Sequence, residues 1–329
     1  MRIVILGGTG FLGRHLVETA LARGHVLTLF NRGRRNPDLF PALEQLRGER
    51  PDNLEALRGR TWEAAIDTSG YTPRAVAASA GLLAQAVQHY TFVTSISVYA
   101  DPVAPDTDET GRVGRLPLER QATEEITGET YGPLKALAEQ AAEDAMPGRV
   151  LAVRAGLIVG PYDPTDRFTY WPARVARGGQ VLAPDRPDRP VQLIDARDLA
   201  AWMLDLAEAR RTGVFNATGP ERRLTIGEVL DTCRTVSGSK ASFAWVDEKT
   251  LLDNKVEPYT ELPLWVPAEA EGFGRINIRK AIGAGLTFRP LADTVRDTLA
   301  WDRTRPADAP RANGLSPARE TEILDVWKS

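Results

Sequence analysis

Two residues four positions apart, Tyr131 and Lys135, form the pair in this sequence that is best suited to proton transfer. Residues at this spacing share one face of a helix, so the tyrosine hydroxyl and the lysine ammonium can reach the same ligand. The pKa of an unperturbed tyrosine is about 10, and a nearby cation favours its phenolate form. Such a tyrosine can pass a proton to or from a substrate oxygen near neutral pH. The alternative is a surface tyrosine beside a surface lysine, with no ligand between them.

Two serines, Ser95 and Ser97, follow the apolar stretch Thr91–Thr94, which predicts a buried strand. Open α/β sheets bind their ligands at the carboxyl ends of such strands. We expect the hydroxyl of Ser95 to hydrogen-bond a substrate carbonyl beside the tyrosine, with Ser97 as the second candidate. A serine at a strand end also bonds local backbone, and this alternative stays open for Ser95.

A glycine-rich turn near the amino terminus predicts a binding site for dinucleotide phosphates. It follows the apolar stretch Ile3–Leu6 and opens a stretch with helical spacing. Glycines permit a tight turn and close approach of the backbone to a pyrophosphate, whose charge the helix amino terminus attracts. The candidate cofactor contacts in this turn are Gly7, Thr9, Gly10, Phe11, Leu12 and Gly13. The alternative is a strand–helix turn that binds nothing.

The residues after the second predicted strand indicate which dinucleotide binds. A site for NAD usually has Asp or Glu there to hold the ribose 2′-hydroxyl. This chain has Asn31 and Arg32, with Arg34 and Arg35 close behind. A guanidinium suits a 2′-phosphate, and the missing carboxylate removes a repulsion. We therefore expect NADP through Asn31, Arg32 and Arg35, with NAD as the alternative cofactor and a solvated basic loop as the structural alternative.

The first 160 residues alternate apolar stretches with amphipathic ones, which is typical of a parallel sheet covered by helices. The predicted strands are Ile3–Leu6, Val26–Phe30, Ala64–Asp67, Thr91–Thr94 and Val150–Arg154, and the predicted helices are Phe11–Arg23, Pro73–Gln88 and Gly132–Ala145. We expect an α/β protein with a doubly wound parallel Rossmann sheet over 1–160. A smaller, interleaved C-terminal substrate lobe is expected over 161–329, with 191–217 returning to the Rossmann sheet.

Together these motifs resemble the extended short-chain dehydrogenase/reductase family, the group called NAD-dependent epimerases/dehydratases. The resemblance runs from Met1 to about Gly219 and, more loosely, to Trp301. Besides the glycine turn, Ser95, Tyr131 and Lys135, it rests on Thr68-Ser69-Gly70, on Arg154 with Gly160-Pro161, and on Asp198-Leu199-Ala200. It implies that Thr68, Ser69 and Gly70 contact the cofactor and that Lys135 also holds the nicotinamide ribose.

Departures from the family pattern narrow the expected activity. Family dehydratases tend to carry a glutamate where this chain has Ser97, so water elimination lacks its usual catalyst here. Sugar-nucleotide enzymes usually have an asparagine between Arg154 and Gly160, where this chain has none, and an arginine where it has Val191. We expect Ser97 and side chains of the second lobe to contact the substrate instead. Those side chains are Arg167, Tyr170, Trp171, Gln192 and the displaced Arg189, although loop packing also explains each aromatic.

The leading hypothesis is an NADP-dependent carbonyl reductase or alcohol dehydrogenase that acts on a small polar substrate. The alternative is an epimerase of a sugar or sugar nucleotide that keeps NAD tightly bound. Residues 27–33 and 192–198 also resemble the chloroplast stem-loop-binding proteins and their bacterial relatives, which implies RNA binding as a hypothesis of another class. Those proteins replace the middle glycine of the turn, whereas Gly10 is intact here.

Composition argues against several other functions. The 329 residues carry a net charge of −3, so no global basic field favours nucleic acid or an anionic membrane. The single cysteine, Cys233, excludes an internal disulfide and a cysteine-based metal site. The histidines are scattered as His15, His25 and His89. Since no apolar stretch approaches the roughly 20 residues that span a bilayer, we expect a cytoplasmic protein without a metal.

Two predicted helices are rich in small residues and suggest a homodimer. Pro73–Gln88 and Gly132–Ala145 carry more alanines than one buried face requires. Small residues let helices approach each other closely. The family resemblance implies that these two helices from each subunit form a four-helix contact. The alternative is a monomer whose helices pack only on their own sheet.

Overall fold

The computed structural model describes residues 1–120, 122–306 and 308–328. The strands are β1 (Arg2–Leu6), β2 (Val26–Asn31), β3 (Glu44–Arg47), β4 (Ala64–Asp67), β5 (His89–Ser95), β6 (Val150–Ala155), β7 (Leu157–Val159), β8 (Gln180–Pro184), β9 (Pro190–Val191), β10 (Leu193–Asp195), β11 (Gly213–Ala217), β12 (Leu224–Thr225) and β13 (Ser242–Val246). The α-helices are α1 (Phe11–Ala22), α2 (Pro73–Leu83), α3 (Gly128–Ala145), α4 (Tyr170–Ala176), α5 (Ala196–Glu208), α6 (Ile226–Ser237), α7 (Glu248–Asp253), α8 (Arg279–Gly283), α9 (Leu291–Asp302) and α10 (Pro317–Lys328). Short 3₁₀ helices span Glu55–Leu57, Ile96–Val98, Leu118–Arg120 and Ala268–Gly274.

Within the described residues, seven parallel strands form one sheet in the order β3-β2-β1-β4-β5-β6-β11. Its central strands are almost wholly buried, as expected for a parallel sheet with helices on both faces. The chain passes from β1 outward to β3 and then returns to β4 beside β1. The carboxyl ends of β1 and β4 therefore flank the point where the strand order reverses, and open sheets bind ligands there. The prediction of a doubly wound Rossmann sheet is confirmed.

The ends of several predicted elements differ from the structure. The helix predicted to reach Gln88 stops at Leu83, because the chain must turn before it enters β5 at His89. The helix predicted from Gly132 begins at Gly128, where a capping box from Thr127 starts it one turn earlier. Strand β3 was not predicted, since only Leu46 of this polar edge strand is buried.

The chain divides into two compact units. Unit 1 consists of Met1–Ile158, Ala196–Thr218 and Ile276–Thr287, and unit 2 consists of Val159–Asp195, Gly219–Arg275 and Phe288–Ser329. Unit 1 holds the seven-stranded sheet, to which β11 returns after helix α5. Residues 276–287 also belong to unit 1, a return of the chain that was not predicted.

Unit 2 has its own hydrophobic core and its own buried ion pair. Strand β8 pairs with β13 in parallel, β9 pairs with β12 in the antiparallel sense, and α6 packs against α4 and α9. Trp171 and Trp265 are among its fully buried side chains. The buried Arg174 holds α10 through Glu320, with Nε and Oε2 2.6 Å apart, and the other carboxylate oxygen accepts from the Leu182 amide.

Two further observations concern membrane-spanning helices and metal sites. Across residues 1–120, 122–306 and 308–328, none of the helices combines the length and apolar character needed to cross a bilayer. The same part of the chain contains no group of three or more His, Cys, Asp or Glu side chains arranged to hold a metal ion.

Candidate active site

The glycine turn between β1 and α1 is held in a shape that only glycine fits. Gly7 has a φ of +91°, and its carbonyl accepts the Gly10 amide at 3.0 Å. A Cβ at Gly13 would lie 2.2 Å from the Gly7 oxygen, so a larger residue would force the turn and the helix apart. Gly10 precedes α1 without a side-chain cap in the described structure. The first amides of α1 are therefore available to an anionic ligand.

Asn31 and its neighbours form a basic cluster at the carboxyl end of β2. The Oδ1 atom of Asn31 accepts from the Gly33 amide at 2.8 Å and from the Arg47 guanidinium. The Nδ2 atom is buried and has no hydrogen-bond partner among the residues that the structure describes. Arg32 and Arg34 both pair with the Glu49 carboxylate, at 3.2 and 3.0 Å. An unsatisfied donor beside exposed guanidinium groups fits a phosphate ligand.

A buried ion pair fixes the loop that follows β4. Arg50 donates to both oxygens of Asp67, at 2.5 and 3.2 Å, and to the Ser69 hydroxyl at 2.8 Å. Burial by itself would raise the pKa of the Asp67 carboxyl, but the Arg50 guanidinium, together with hydrogen bonds from the Ser69 amide and the Tyr90 hydroxyl, holds that pKa below its usual range. The loop Thr68–Gly70 is thus anchored beneath the glycine turn, since a Cβ at Gly7 would lie 2.6 Å from Thr68 Oγ1.

Arg50 could not be identified from the sequence pattern. One signal was present: Asp67 ends a strand predicted to be buried, and a buried carboxylate needs a cationic partner. The signal does not identify the partner, because the chain has 41 lysines and arginines.

Lys135 lies at the centre of the arrangement and is only 4% exposed. Its ammonium donates to the carbonyl of Gly70 at 2.6 Å and to the carbonyl of Val93 at 2.7 Å. Burial lowers the pKa of Lys135 to about 8, against the opposing attraction of Asp67. An ammonium group has three hydrogens to donate, and the two carbonyls use two of them. The remaining donor can bind a hydroxyl of a ligand.

Helix α3 carries Tyr131 one turn before Lys135 and presses on the turn after β5. A Cβ at Gly132 would lie 2.0 Å from the Ser97 carbonyl oxygen, so glycine is required for this approach. The capping box of Thr127 and Thr130 fixes where α3 begins. Tyr131 is half-buried at this contact. Helix α3, which bears the tyrosine and the lysine, therefore packs against the serine-bearing turn in unit 1.

The two serines are bonded to each other. Ser95 Oγ donates to Ser97 Oγ at 3.0 Å and accepts from the Ser97 amide at 3.1 Å. The local backbone bond left open for Ser95 is thus formed. A hydroxyl donates once, so Ser97 keeps its own hydrogen for another acceptor. In this arrangement Ser95 orients the Ser97 hydroxyl, whose hydrogen is left for another acceptor.

The remaining predicted substrate residues lie in unit 2. Trp171 is fully buried and donates through Nε1 to the Pro263 carbonyl at 2.9 Å, and Tyr170 stacks edge-on against it. Burial leaves these two rings no surface for a ligand in this conformation. Arg167 and Gln192 are half-buried.

The displaced Arg189 does not present its guanidinium to a ligand. Its side chain is 1% exposed and pairs with Asp185 at 2.7 Å and with Glu248 at 3.0 Å. It also donates to the Val266 carbonyl at 2.5 Å. These partners give Arg189 a role in holding the loops of unit 2 together.

Comparison with known proteins identifies the family to which the chain is similar. Residues 3–218 match the model of the NAD dependent epimerase/dehydratase family. The epimerase family protein SDR39U1 of Bos taurus is 25% identical over 262 residues, covering 73% of this chain and 82% of that protein.

Solved structures share the fold over most of the chain. A putative epimerase from Burkholderia cenocepacia is 21% identical with a TM-score of 0.67, covering 92% of this chain and 98% of that one. Human SDR39U1, solved with NADPH, is 20% identical with a TM-score of 0.62, covering 91% and 99%. UDP-glucose 4-epimerase from Bifidobacterium longum, solved with NAD+ and UDP, is 17% identical with a TM-score of 0.64, covering 93% and 99%. Because the family match spans more than half of the chain, the protein belongs to the NAD dependent epimerase/dehydratase family.

Proposed function

We propose that this protein is an NADP(H)-dependent oxidoreductase that interconverts a carbonyl and an alcohol in a small polar substrate. The observation that carries the proposal is the buried Lys135 ammonium, on the same face of α3 as Tyr131 and bonded to the loop after β4. With Lys135 between them, Tyr131 would act as a proton donor close to the loop Thr68–Gly70, which would contact the cofactor. We infer that the enzyme works in the cytoplasm.

The residues of unit 1 fit a dinucleotide. The uncapped amides of α1 would hold the pyrophosphate, and the loop Thr68–Gly70 would lie along the cofactor. Asn31 Nδ2, Arg32 and Arg35 would bind the 2′-phosphate. The ion pair between Arg32 and Glu49 competes only weakly with binding of the phosphate, since an exposed ion pair contributes only about 0–1 kcal/mol. The human relative SDR39U1 was solved with NADPH, which supports the same preference.

The chain's own groups would handle the proton. When bound, a nicotinamide cofactor supplies or accepts the hydride. During reduction, the Tyr131 hydroxyl would donate its proton to the substrate oxygen as negative charge develops there. The Lys135 ammonium would stabilise the resulting phenolate and donate its third hydrogen to the ribose. Ser97, oriented by Ser95, would donate to the same substrate oxygen.

An epimerase is the second candidate function. Structural neighbours include MoeE5 in complex with UDP-glucose and NAD and the UDP-glucose 4-epimerase of Bifidobacterium longum. The same tyrosine and lysine can serve both reactions, because epimerisation through a ketone oxidises and then reduces one alcohol. The arginines after β2 favour the reductase, since they suit a cofactor with a 2′-phosphate. The intact Gly10 favours either enzyme over the RNA-binding alternative.

The first prediction concerns the cofactor. Titration by NADPH and NADH should show tighter binding of NADPH, and Arg32→Ala should remove most of the difference because a charge-assisted bond to the 2′-phosphate is lost. The expected loss in NADPH affinity is about tenfold to a hundredfold, with NADH affinity little changed. Arg58→Ala, at another exposed arginine paired with a glutamate, is the matched control. Equal affinity of the parent protein for both nucleotides contradicts the proposal.

The second prediction concerns catalysis. Tyr131→Phe should reduce turnover by about 10²–10⁴-fold while cofactor affinity stays nearly the same, because only the proton donor is removed. Lys135→Met should lower both turnover and cofactor affinity, since its ammonium serves both. NADPH oxidation followed at 340 nm and NADPH binding followed by fluorescence separate the two effects. Full activity in Tyr131→Phe would place the chemistry elsewhere.

The third prediction concerns assembly as a homodimer. Helices α2 and α3 pack side by side in unit 1, and Leu137 on α3 is 43% exposed. A stable interface that includes Leu137 would bury roughly 1,200–2,000 Å². Light scattering at micromolar concentration should give a dimer mass for the parent protein and a monomer mass for Leu137→Glu. The control is Leu252→Glu, at an exposed leucine of α7, which should remain dimeric; a monomeric parent, or a dimeric Leu137→Glu, rules the arrangement out.

A further inference from the structure

A buried arginine near the carboxyl end of the sheet, Arg154 on β6, is bonded to helix α3. In the register of the sheet Arg154 lies beside Thr94 of β5, one residue before Ser95. Its side chain is only 6% exposed. The guanidinium forms a bidentate ion pair with Glu139 of α3, from Nε to Oε1 at 3.1 Å and from Nη2 to Oε2 at 2.8 Å. This pair therefore joins α3 to the sheet at the level of the serine-bearing turn.

Glu139 shares a face of α3 with the proposed proton donor and its lysine. It follows Lys135 by four residues, just as Lys135 follows Tyr131, so the three side chains lie in a row along that face. Burial lowers the pKa of Lys135, and the attraction of Asp67 and then of Glu139 opposes that lowering. The carboxylate of Glu139 therefore acts on the buried ammonium as well as on Arg154.

Arg154 also holds the turn that carries the serines. Its Nη1 atom donates to Tyr99 Oη at 3.1 Å, and its guanidinium carbon lies 5.0 Å from the centre of the Tyr99 ring. Tyr99 directly follows the 3₁₀ turn Ile96–Val98, which includes Ser97. The same phenol donates to Asn216 Oδ1 of β11 at 2.7 Å. One guanidinium thus connects α3, the serine-bearing turn and, through the phenol, β11.

Stability alone does not explain a buried ion pair at this place. The cost of removing two charges from water often cancels their attraction, and apolar side chains of similar volume are often as stable. A bidentate pair differs from apolar packing in two respects: it fixes the direction in which two elements meet, and it keeps two opposite charges in place. Both respects concern the proposed reaction, because Glu139 lies one helical turn from Lys135.

Other charged or titratable groups face the Lys135 ammonium from the elements packed against α3. Asp67 at the end of β4 attracts it, and Arg50 from the segment after β3 repels it. The Tyr71 ring, in the loop after β4, has its centre 5.6 Å from Lys135 Nζ. The charge of Arg74 on α2 is screened by solvent, because that side chain is 61% exposed. A test of Glu139 must therefore leave these groups unchanged.

We propose that Arg154 and Glu139 are positioning residues of the proposed reductase, which fix α3 against β6 and the serine-bearing turn and hold opposite charges in balance beside Lys135. The inference rests on the proposed function for the roles of Tyr131 and Lys135. Because the guanidinium neutralises the carboxylate, the ammonium of Lys135 experiences only part of either charge. Loss of one partner or the other should therefore affect Lys135 in opposite directions.

Titration of Lys135 itself tests this balance without cofactor or substrate. The chain has six lysines, so protein labelled with ¹³C at lysine Cε gives few resonances, and Lys135→Met identifies the one that belongs to Lys135. The midpoint of the parent protein should be about 8, the pKa to which burial lowers Lys135. Glu139→Gln should lower the midpoint by about one pH unit and Arg154→Met should raise it by a similar amount.

Two further variants complete the titration. Glu139→Gln combined with Arg154→Met should return the midpoint close to that of the parent protein, and the control Glu143→Gln, at an exposed carboxylate one turn further along α3, should leave it unchanged. Loosened packing alone would hydrate the ammonium and raise the midpoint in both single variants, and that result, or no shift, would overturn the inference. If Arg154→Met does not fold, Glu139→Gln decides the outcome, since it preserves the volume of the side chain.

Turnover separates this inference from the proposed function. With glyceraldehyde and NADPH, the alkaline limb of the kcat profile should move with the lysine midpoint in each single variant. The double variant should keep the profile of the parent protein but lower kcat by about tenfold to a hundredfold with little change in KM, because the link between α3 and the serine-bearing turn is lost. Reduction of the aldehyde with an unshifted lysine rejects the positioning role and leaves the oxidoreductase standing. Opposite shifts of the lysine midpoint without any reduction of the aldehyde count against the oxidoreductase and leave the charge balance at Lys135 standing.

Discussion

The buried ammonium of Lys135 is the group on which the packing at this end of unit 1 depends. Removing a charged group from water costs several kcal/mol unless polar partners replace the lost hydration. Here the carbonyls of Gly70 and Val93 supply hydrogen bonds, and Asp67 supplies an attraction that opposes the lowering of the lysine pKa by burial. Asp67 is itself buried and needs Arg50. One buried cation on α3 thus ties together the ends of β4 and β5 and, through Arg50, the segment after β3.

Close packing makes this arrangement possible. Glycine at position 132 lets α3 approach the serine turn, and a Cβ at Gly70 would lie 2.5 Å from Val76 and 2.6 Å from the Phe92 ring. Glycine at position 13 lets α1 start directly against the glycine turn. At each of these positions the absence of a side chain allows two elements to approach closely, and the proposed proton donor and the proposed dinucleotide site depend on that packing.

The sequence predicts the parts that depend on local patterns. The order of strand and helix, the glycine turn and the Tyr131–Lys135 pair all follow from spacing within a few residues. The Arg50–Asp67 pair could not be predicted, because it depends on which distant segments meet in the folded chain. Trp171 shows an error of the opposite kind. An aromatic residue in a loop-rich stretch was expected to contact the substrate, yet the fold of unit 2 buries it completely.

The nucleotide that the purified protein carries, and how fast it exchanges, tests the central claim most directly. A reductase must release its cofactor after each turnover, whereas an epimerase restores the cofactor within one cycle and can keep it bound. The nucleotide released by denaturation is identified by mass spectrometry, and its exchange with added labelled NADPH is followed after gel filtration. We predict NADP(H) that exchanges completely within minutes. NAD that stays bound through gel filtration would contradict the NADP-dependent oxidoreductase and support the epimerase.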